Sequence, residues 1–155
     1  MGIALGSNQG DRGKQLRQAA SRLRKLGASD HFLASGIYET APVDCPPGSP
    51  PFHNAVVEIE SEDSPIDLLE KLLALEDEMG RPRQRERNAP RVIDLDLLYF
   101  GELTLETEKL TLPHPRMAER AFVLAPLAEI RPEFEDQLER LKEPGLIVRL
   151  PDSLI

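Results

Sequence analysis

The sequence contains a single cysteine, Cys45, among its 155 residues. One cysteine cannot form an intrachain disulfide, and it excludes a zinc site built from several cysteines. No apolar run approaches the roughly 20 residues that a membrane helix needs, and the first residues lack the basic and apolar segments of a signal peptide. We therefore expect a cytoplasmic protein without a membrane partner.

An excess of positive charge is also missing, because 27 acidic residues outnumber 19 basic ones and give a formal net charge of −8. Nucleic-acid-binding proteins usually present a basic surface, so this charge argues against a nucleic-acid partner. The length and the hydrophobic fraction of 40% are those of one globular domain, expected to span residues 1–155. The sequence leaves the oligomeric state open, and a monomer is favoured.

Positive charge is concentrated in residues 81–91, a segment with five arginines and one glutamate. The segment has a net charge of +4, so the rest of the chain carries −12. Two prolines and few apolar residues predict a loop. Arginine is well suited to bidentate contacts with phosphate, although a charged run by itself is more often only a solvated surface.

Hydrophobic periodicity predicts an α+β chain. Strands are predicted at residues 2–7, 33–40, 54–60, 92–100 and, after a hairpin turn at Gly101, 102–105. Helices are predicted at residues 11–26, 65–79, 116–129 and 132–142. Two neighbouring antiparallel strands between residues 33 and 60 favour a ferredoxin-like antiparallel sheet with helices packed on it. Long loops are predicted at 43–52 and 81–91. Such loops often border a functional site, and we expect both to be mobile until ligands bind there.

Asp94 and Asp96 stand two residues apart in a predicted strand, so their side chains are expected on the same face. Two carboxylates in this arrangement can bind Mg²⁺ together with substrate phosphates. An acidic pair alone is more often the solvated face of a half-exposed strand. Because it directly follows five arginines that could hold a polyphosphate, the pair predicts a site for phosphoryl transfer.

The segment from Arg87 to Leu98, Arg-Asn-Ala-Pro-Arg-Val-Ile-Asp-Leu-Asp-Leu-Leu, resembles the signature of the 6-hydroxymethyl-7,8-dihydropterin pyrophosphokinase family. Shorter resemblances follow in the family's order: Gly6-Ser7-Asn8, Tyr38-x-Thr40-x-Pro42, Phe52-His-Asn54-Ala, Glu76-x-x-x-Gly80-Arg81-x-Arg83, Leu110-Thr-Leu-Pro-His114-Pro-Arg-Met and Arg120-Ala-Phe122. The resemblance implies an enzyme of folate biosynthesis. It would transfer the pyrophosphoryl group of ATP to the hydroxymethyl oxygen of the pterin and release AMP.

The resemblance also implies roles for individual residues. Asp94 and Asp96 would hold two Mg²⁺ ions, while Arg81 and Arg91 would stabilise charge on the transferred group. The residues implied around the nucleotide are Glu76, Arg83, Arg87, Lys109, Thr111, His114 and Arg120. The residues implied around the pterin are Thr40, Pro42, Val43, Phe52, Asn54 and Phe122.

Other functions and simpler roles stay open from the residues alone. A metal-dependent nucleotidyltransferase would also use paired aspartates but would release pyrophosphate, and a ligand-binding domain without catalysis would need neither aspartate. An RNA-binding domain could use the arginine segment, but the acidic remainder argues against it. By pattern alone, Phe122 would be a core residue, Asn54 a turn residue, His114 a surface residue and Glu76 part of a polar helix face.

Overall fold

The computed structural model describes residues 1–41, 48, 50–80, 92–141, 147–151 and 153–154. Within these ranges the strands are β1 (Gly2–Ser7), β2 (Phe32–Ala34), β3 (Tyr38–Thr40), β4 (Phe52–Ile59), β5 (Asp94–Tyr99), β6 (Leu105–Glu106), β7 (Thr111–Leu112) and β8 (Ile147–Arg149). The α-helices are α1 (Arg12–Leu26), α2 (Pro65–Glu78), α3 (Ala121–Ile130) and α4 (Glu135–Glu139). Single-turn 3₁₀ helices lie at Met117–Glu119 and Pro132–Phe134. No helix in the described ranges is long and apolar enough to span a membrane.

The main sheet confirms the predicted α+β fold. Its strand order is β5-β1-β4-β3-β8, and β2 pairs with the same strand, β4, as β3 does. Strand β1 is antiparallel to both of its neighbours, β4 and β5. This order places the C-terminal end of β1 beside the N-terminal ends of β4 and β5. The motifs Gly6-Ser7-Asn8, Phe52-His-Asn54 and Asp94-Leu-Asp96 lie there.

Helices cover both faces of this sheet. Side chains along each strand point alternately to the two faces and therefore contribute to two separate cores. Leu5 of β1 and Val57 of β4 pack in one core with the buried faces of α1 and α2. Val56 and Leu98 pack in the other core with α3. In α1 the buried residues are spaced for one helical face: Leu16, Ala19, Ala20 and Leu23. Burial of each leucine contributes about 1.5–3 kcal/mol.

The predicted strand 33–40 is interrupted by a bulge and forms two short strands, β2 and β3. Ala34 pairs with Val57, but Tyr38 pairs with Asn54, so β4 has one residue fewer across the break. At the bulge, the side chain of Ser35 replaces a main-chain hydrogen-bond acceptor, because its Oγ accepts the backbone N–H of Val56 at 2.9 Å. Periodicity could not predict this break, since a side chain replaces a main-chain partner.

Replacing Ser35 by alanine should lower the free energy of unfolding by about 1–3 kcal/mol, because the buried N–H of Val56 would lose its acceptor. Urea denaturation measures the change. The control is Ser21→Ala on the exposed side of α1, which should shift stability by less than about 0.5 kcal/mol. Equal unfolding midpoints for Ser35→Ala and the wild type would contradict this account of the bulge.

Three other predicted elements differ from the structure. The chain after Gly101 does not pair back along β5, because the N–H of His114 already bonds to the carbonyl of Leu98 on that edge; instead β6 pairs with β7. The predicted helix 116–129 breaks at Arg120, whose backbone is extended. The predicted helix 132–142 is shorter, consisting of a 3₁₀ turn followed by α4. Strand β8, which pairs with β3, was missed because it is only three residues long.

Candidate functional site

The two aspartates lie on one face of β5, as their spacing predicted. Asp94 and Asp96 are half-buried, and they alternate with Leu95 and Leu97, which are buried in the core beneath α1 and α2. They therefore share the opposite face of the sheet with Leu98, which packs against α3. Both aspartate side chains remain partly exposed on this face.

Gly6 separates the acidic pair from the next strand. In the sheet register, Gly6 lies opposite Asp94 of β5 on one side and Asn54 of β4 on the other. A Cβ built on Gly6 would lie 3.1 Å from Asn54 Oδ1 and 3.9 Å from Phe52 Cδ1. Since glycine has no side chain, only Asn54 and Phe52 among the described residues come within 4 Å of this position, which leaves a gap on the side of the carboxylates.

Asn54 and Thr40 form a buried hydrogen-bonded pair on the far side of this gap. Asn54 Nδ2 donates to Thr40 Oγ1 at 2.8 Å, and the two residues are 5% and 6% exposed. This bond fixes the amide with its Oδ1 towards Gly6, as the 3.1 Å approach to that residue's Cβ position indicates. Phe52, two residues before Asn54, is half-buried beside them. The structure thus brings three of the predicted substrate residues together.

His114 follows β7 and lies close enough to Asp94 to interact with it electrostatically. Burial, and then the charges of Arg120 and Arg116, lower the pKa of His114, whereas Asp94 acts in the opposite direction. The lowered pKa favours the neutral imidazole. Its Nδ1 accepts the backbone N–H of Arg116 at 3.2 Å, which places the ring hydrogen on Nε2.

Arg120 and Phe122 lie at the start of α3 and contact each other. The Arg120 guanidinium carbon is 5.5 Å from the centroid of the Phe122 ring, within the range of a cation–π contact. Phe122 is half-buried at the edge of the core under α3. It is therefore not the fully buried core residue that its apolar surroundings alone would suggest. The structure thus places a positive charge, in contact with an aromatic face, close enough to His114 to act on its pKa.

Glu76 has a contact that the sequence did not predict. It is 2% exposed at the C-terminal end of α2, and its Oε2 accepts the backbone N–H of Leu95 at 2.7 Å. Leu95 lies between the two aspartates, so this carboxylate holds the backbone that carries them. A signal was available, because Glu76 continues the four-residue spacing of the buried residues Leu68 and Leu72.

The remaining predicted residues are distributed as follows. Thr111 lies in β7, next to β5, and Lys109 is exposed in the turn between β6 and β7. The residues that lie outside the described ranges are Pro42, Val43, Arg81, Arg83, Arg87 and Arg91. Their roles, and the expected mobility of the loops 43–52 and 81–91, stay predictions.

The acidic pair has the donor chemistry of a magnesium site that is completed by a ligand. Among the described residues, no group of three or more histidine, cysteine, aspartate or glutamate side chains is arranged to hold a metal. Asp94 and Asp96 offer carboxylate oxygens, the ligands that Mg²⁺ prefers. Mg²⁺ commonly takes one or two carboxylates and completes its octahedron with waters and substrate phosphates. The pair therefore fits Mg²⁺ bound jointly with a phosphorylated ligand.

Comparison with known proteins agrees with this chemistry. Residues 2–132 match the family model for 7,8-dihydro-6-hydroxymethylpterin-pyrophosphokinase. The chain is 48% identical over 135 residues to a Bacillus subtilis 2-amino-4-hydroxy-6-hydroxymethyldihydropteridine pyrophosphokinase, covering 87% of this chain and 80% of that protein. A Haemophilus influenzae protein of the same name is 41% identical over 83% of this chain and 79% of its own length. The folate synthesis bifunctional protein of Arabidopsis thaliana is 43% identical, and the match spans only 23% of it.

Proposed function

Since this chain belongs to the 7,8-dihydro-6-hydroxymethylpterin-pyrophosphokinase family, we propose that it transfers the pyrophosphoryl group of ATP to 6-hydroxymethyl-7,8-dihydropterin with two Mg²⁺ ions at Asp94 and Asp96. The chain is thus an ATP-dependent pyrophosphokinase of folate biosynthesis. The observation that carries the mechanism is the placement of both carboxylates on one face, across Gly6 from Asn54. Bound Mg²⁺ would neutralise triphosphate charge and lower the pKa of the pterin hydroxyl.

The reaction requires the hydroxymethyl oxygen to attack the β-phosphorus of ATP. A new oxygen–phosphorus bond forms, the bond from the β-phosphorus to the α,β-bridging oxygen breaks, AMP leaves with that oxygen, and the hydroxyl proton passes to solvent. Asp94 and Asp96 would place the triphosphate opposite the pterin, across the gap at Gly6. The gap allows the two substrates to approach without an intervening side chain, which supplies the proximity that the transfer needs.

The pterin would occupy the space beside Asn54, Thr40 and Phe52. A flat aromatic ring system needs apolar faces for stacking and polar groups along its edge. Phe52 and Phe122 supply aromatic rings from β4 and α3. The oriented amide of Asn54 supplies a hydrogen-bonding edge, because its Nδ2 is already held by Thr40. Pro42 and Val43 would complete the wall.

The nucleotide would lie on the β7 side of the acidic pair. Arg120 offers a fixed positive charge, and neutral His114 offers an Nε2 hydrogen to a phosphate or sugar oxygen. Lys109 and Thr111 would contact the nucleotide from the β6–β7 side, and the buried Glu76 would act on it through the β5 backbone that it holds. The arginines of residues 81–91 would bind the phosphates, with Arg81 and Arg91 stabilising the transferred group and Arg83 and Arg87 holding the phosphates.

Product analysis tests the activity. The protein is mixed with Mg²⁺, ATP and 6-hydroxymethyl-7,8-dihydropterin, and nucleotide and pterin products are separated by chromatography. AMP formed in step with pterin diphosphate, and absent without the pterin, is the expected result. Release of pyrophosphate with AMP attached to the pterin would identify a nucleotidyltransferase instead, and binding of both substrates without turnover would indicate a ligand-binding domain.

We further propose that the protein is a cytoplasmic monomer. Its partners would be ATP and the pterin, and it would bind neither nucleic acid nor membranes. The acidic net charge of −8 supports the absence of nucleic-acid binding. Sedimentation of the purified protein over a range of concentrations measures the oligomeric state.

Replacing Gly6 by alanine should raise the KM for the pterin by about tenfold, which corresponds to 1.4 kcal/mol of lost binding. The new methyl group would lie 3.1 Å from Asn54 Oδ1 and would displace the amide. The unfolding free energy should change by only about 1 kcal/mol. The KM for ATP is the internal control and should stay within about twofold. Equal increases in both constants would contradict the placement of the pterin beside Gly6.

A further inference from the structure

Glu129, in the last turn of α3, joins that helix to two strands at the edge of the sheet. Its Oε2 accepts the backbone N–H of Gly36 at 2.5 Å, and its Oε1 accepts the hydroxyl of Tyr38 at 3.1 Å. The same Oε1 accepts Arg149 Nε of β8 at 2.6 Å. The side chain of Arg149 lies directly over Gly36, where a Cβ would come within 2.6 Å of Nη2. One carboxylate thus holds β3, β8 and α3 together.

Two of the elements that Glu129 joins, β3 and α3, contain residues of the candidate substrate site. On β3, Tyr38 lies opposite Asn54, and Thr40, two residues later, bonds to the same amide. On α3, Phe122 precedes Glu129 by seven residues, which places both side chains on the same side of the helix two turns apart. The position of Phe122 relative to the Thr40–Asn54 pair therefore depends on how α3 sits against β3.

We propose that Glu129 is a positioning residue that sets the width of the slot between Phe122 and the Thr40–Asn54 pair, and thereby the affinity for a flat, ring-shaped substrate. This inference rests on the proposed function, in which that substrate is the pterin. It assigns Glu129 no contact with either substrate. This carboxylate bonds α3 directly to β3, whereas the nucleotide side of the site lies mainly on β5 and β7, so that of its proposed residues only Arg120 would move with α3.

A second carboxylate provides the comparison that separates positioning from simple stability. Glu58 of β4 accepts two hydrogen bonds from Arg131, the residue directly after α3. Loss of Arg131 would therefore weaken the attachment of α3 at nearly the same point of the chain. The partners of Glu58 are Arg131, Tyr99 and His31, none of which belongs to the proposed pterin site.

Steady-state kinetics and pterin fluorescence titration of Glu129→Ala, Glu129→Gln and Arg131→Gln test the proposal, with melting curves for each variant. Glu129→Ala should raise the KM and the dissociation constant for the pterin by about tenfold, since small displacements at a binding site carry large penalties, and should leave the KM for ATP within twofold. Glu129→Gln keeps an acceptor for Gly36 and Tyr38 and should recover part of the pterin affinity. Arg131→Gln should lower the melting temperature, but it should not raise the KM for the pterin relative to the KM for ATP.

Equal changes in the two KM values of Glu129→Ala, or the same separation in Arg131→Gln, would overturn the positioning role. Should Glu129→Ala not fold, Tyr38→Phe removes only one hydrogen bond and must still raise the pterin KM by about twofold to threefold with an unchanged ATP KM. An inactive wild-type protein would instead refute the proposed function, so the two failures are distinguishable.

Discussion

Asp96→Asn is expected to lower kcat by about a thousandfold, and Asp94→Asn should have an effect of similar size. Both carboxylates lie on one face of β5, where they would hold Mg²⁺ against the triphosphate. Metal ions contribute several kcal/mol of charge stabilisation in such transition states, and each 1.36 kcal/mol is a factor of about ten in rate. Single-turnover measurement of AMP formation at saturating substrate determines the loss.

Glu139→Gln is the matched control for these aspartate variants. Glu139 is an exposed carboxylate at the end of α4, on the same side of the sheet but outside the site, and its change to an amide should leave kcat within about twofold. Binding of Mn²⁺ in the presence of a non-hydrolysable ATP analogue, followed by calorimetry, should weaken in both aspartate variants. An Asp96→Asn enzyme that keeps a third of the wild-type rate would contradict the metal-binding role.

Glu58→Gln is expected to lower the free energy of unfolding at pH 7 by about 3 kcal/mol. Glu58 is 3% exposed and accepts hydrogen bonds from Arg131, Tyr99 and His31. Burial alone would raise its pKa, but these hydrogen bonds, with that from Arg131 the strongest, lower it from 4.5 to about 2. A difference of this size corresponds to about 3 kcal/mol of stability.

The sign of the pH dependence follows from the lowered pKa. The folded protein binds this proton more weakly than the unfolded chain, so the contribution of Glu58 is complete above about pH 5 and is lost as the pH falls towards 2. The stability difference between wild type and Glu58→Gln should shrink from about 3 kcal/mol at pH 7 to about 1 kcal/mol at pH 2.5. Urea denaturation across this pH range measures it.

Tyr99→Phe is the graded control, because it removes one of the hydrogen bonds to Glu58 and keeps the ring. Its cost should be about 1 kcal/mol at pH 7. A stability difference between wild type and Glu58→Gln that does not vary with pH would show that lost packing, rather than the ionised carboxylate, accounts for the effect.

The sequence predicted those parts of the molecule that depend on local spacing. Alternation along β5 placed Asp94 and Asp96 on one face, and periodicity predicted α1 and α2 close to their observed bounds. The resemblance, rather than periodicity, grouped Asn54 with Thr40 and Phe52, because their proximity depends on the register between β3 and β4.

What the sequence could not predict depends on contacts between distant residues. Glu58 meets Arg131 across 73 positions, and Glu129 meets Gly36 across 93. Such partners leave no periodic pattern, because each depends on how a helix lies across the sheet. The bulge at Ser35 escaped prediction for a related reason, since a hydroxyl there takes the place of a main-chain group.

The hydrogen bond from the N–H of Leu95 to Glu76 also bears on whether two copies of the protein can associate through their sheets at high concentration. An edge strand with unpaired backbone groups offers a template on which a second molecule can add a strand. On β5, Glu76 occupies the N–H of Leu95, and His114 occupies the carbonyl of Leu98. The carboxylate that holds β5 in place thus also blocks one of the backbone groups through which a second molecule could add a strand.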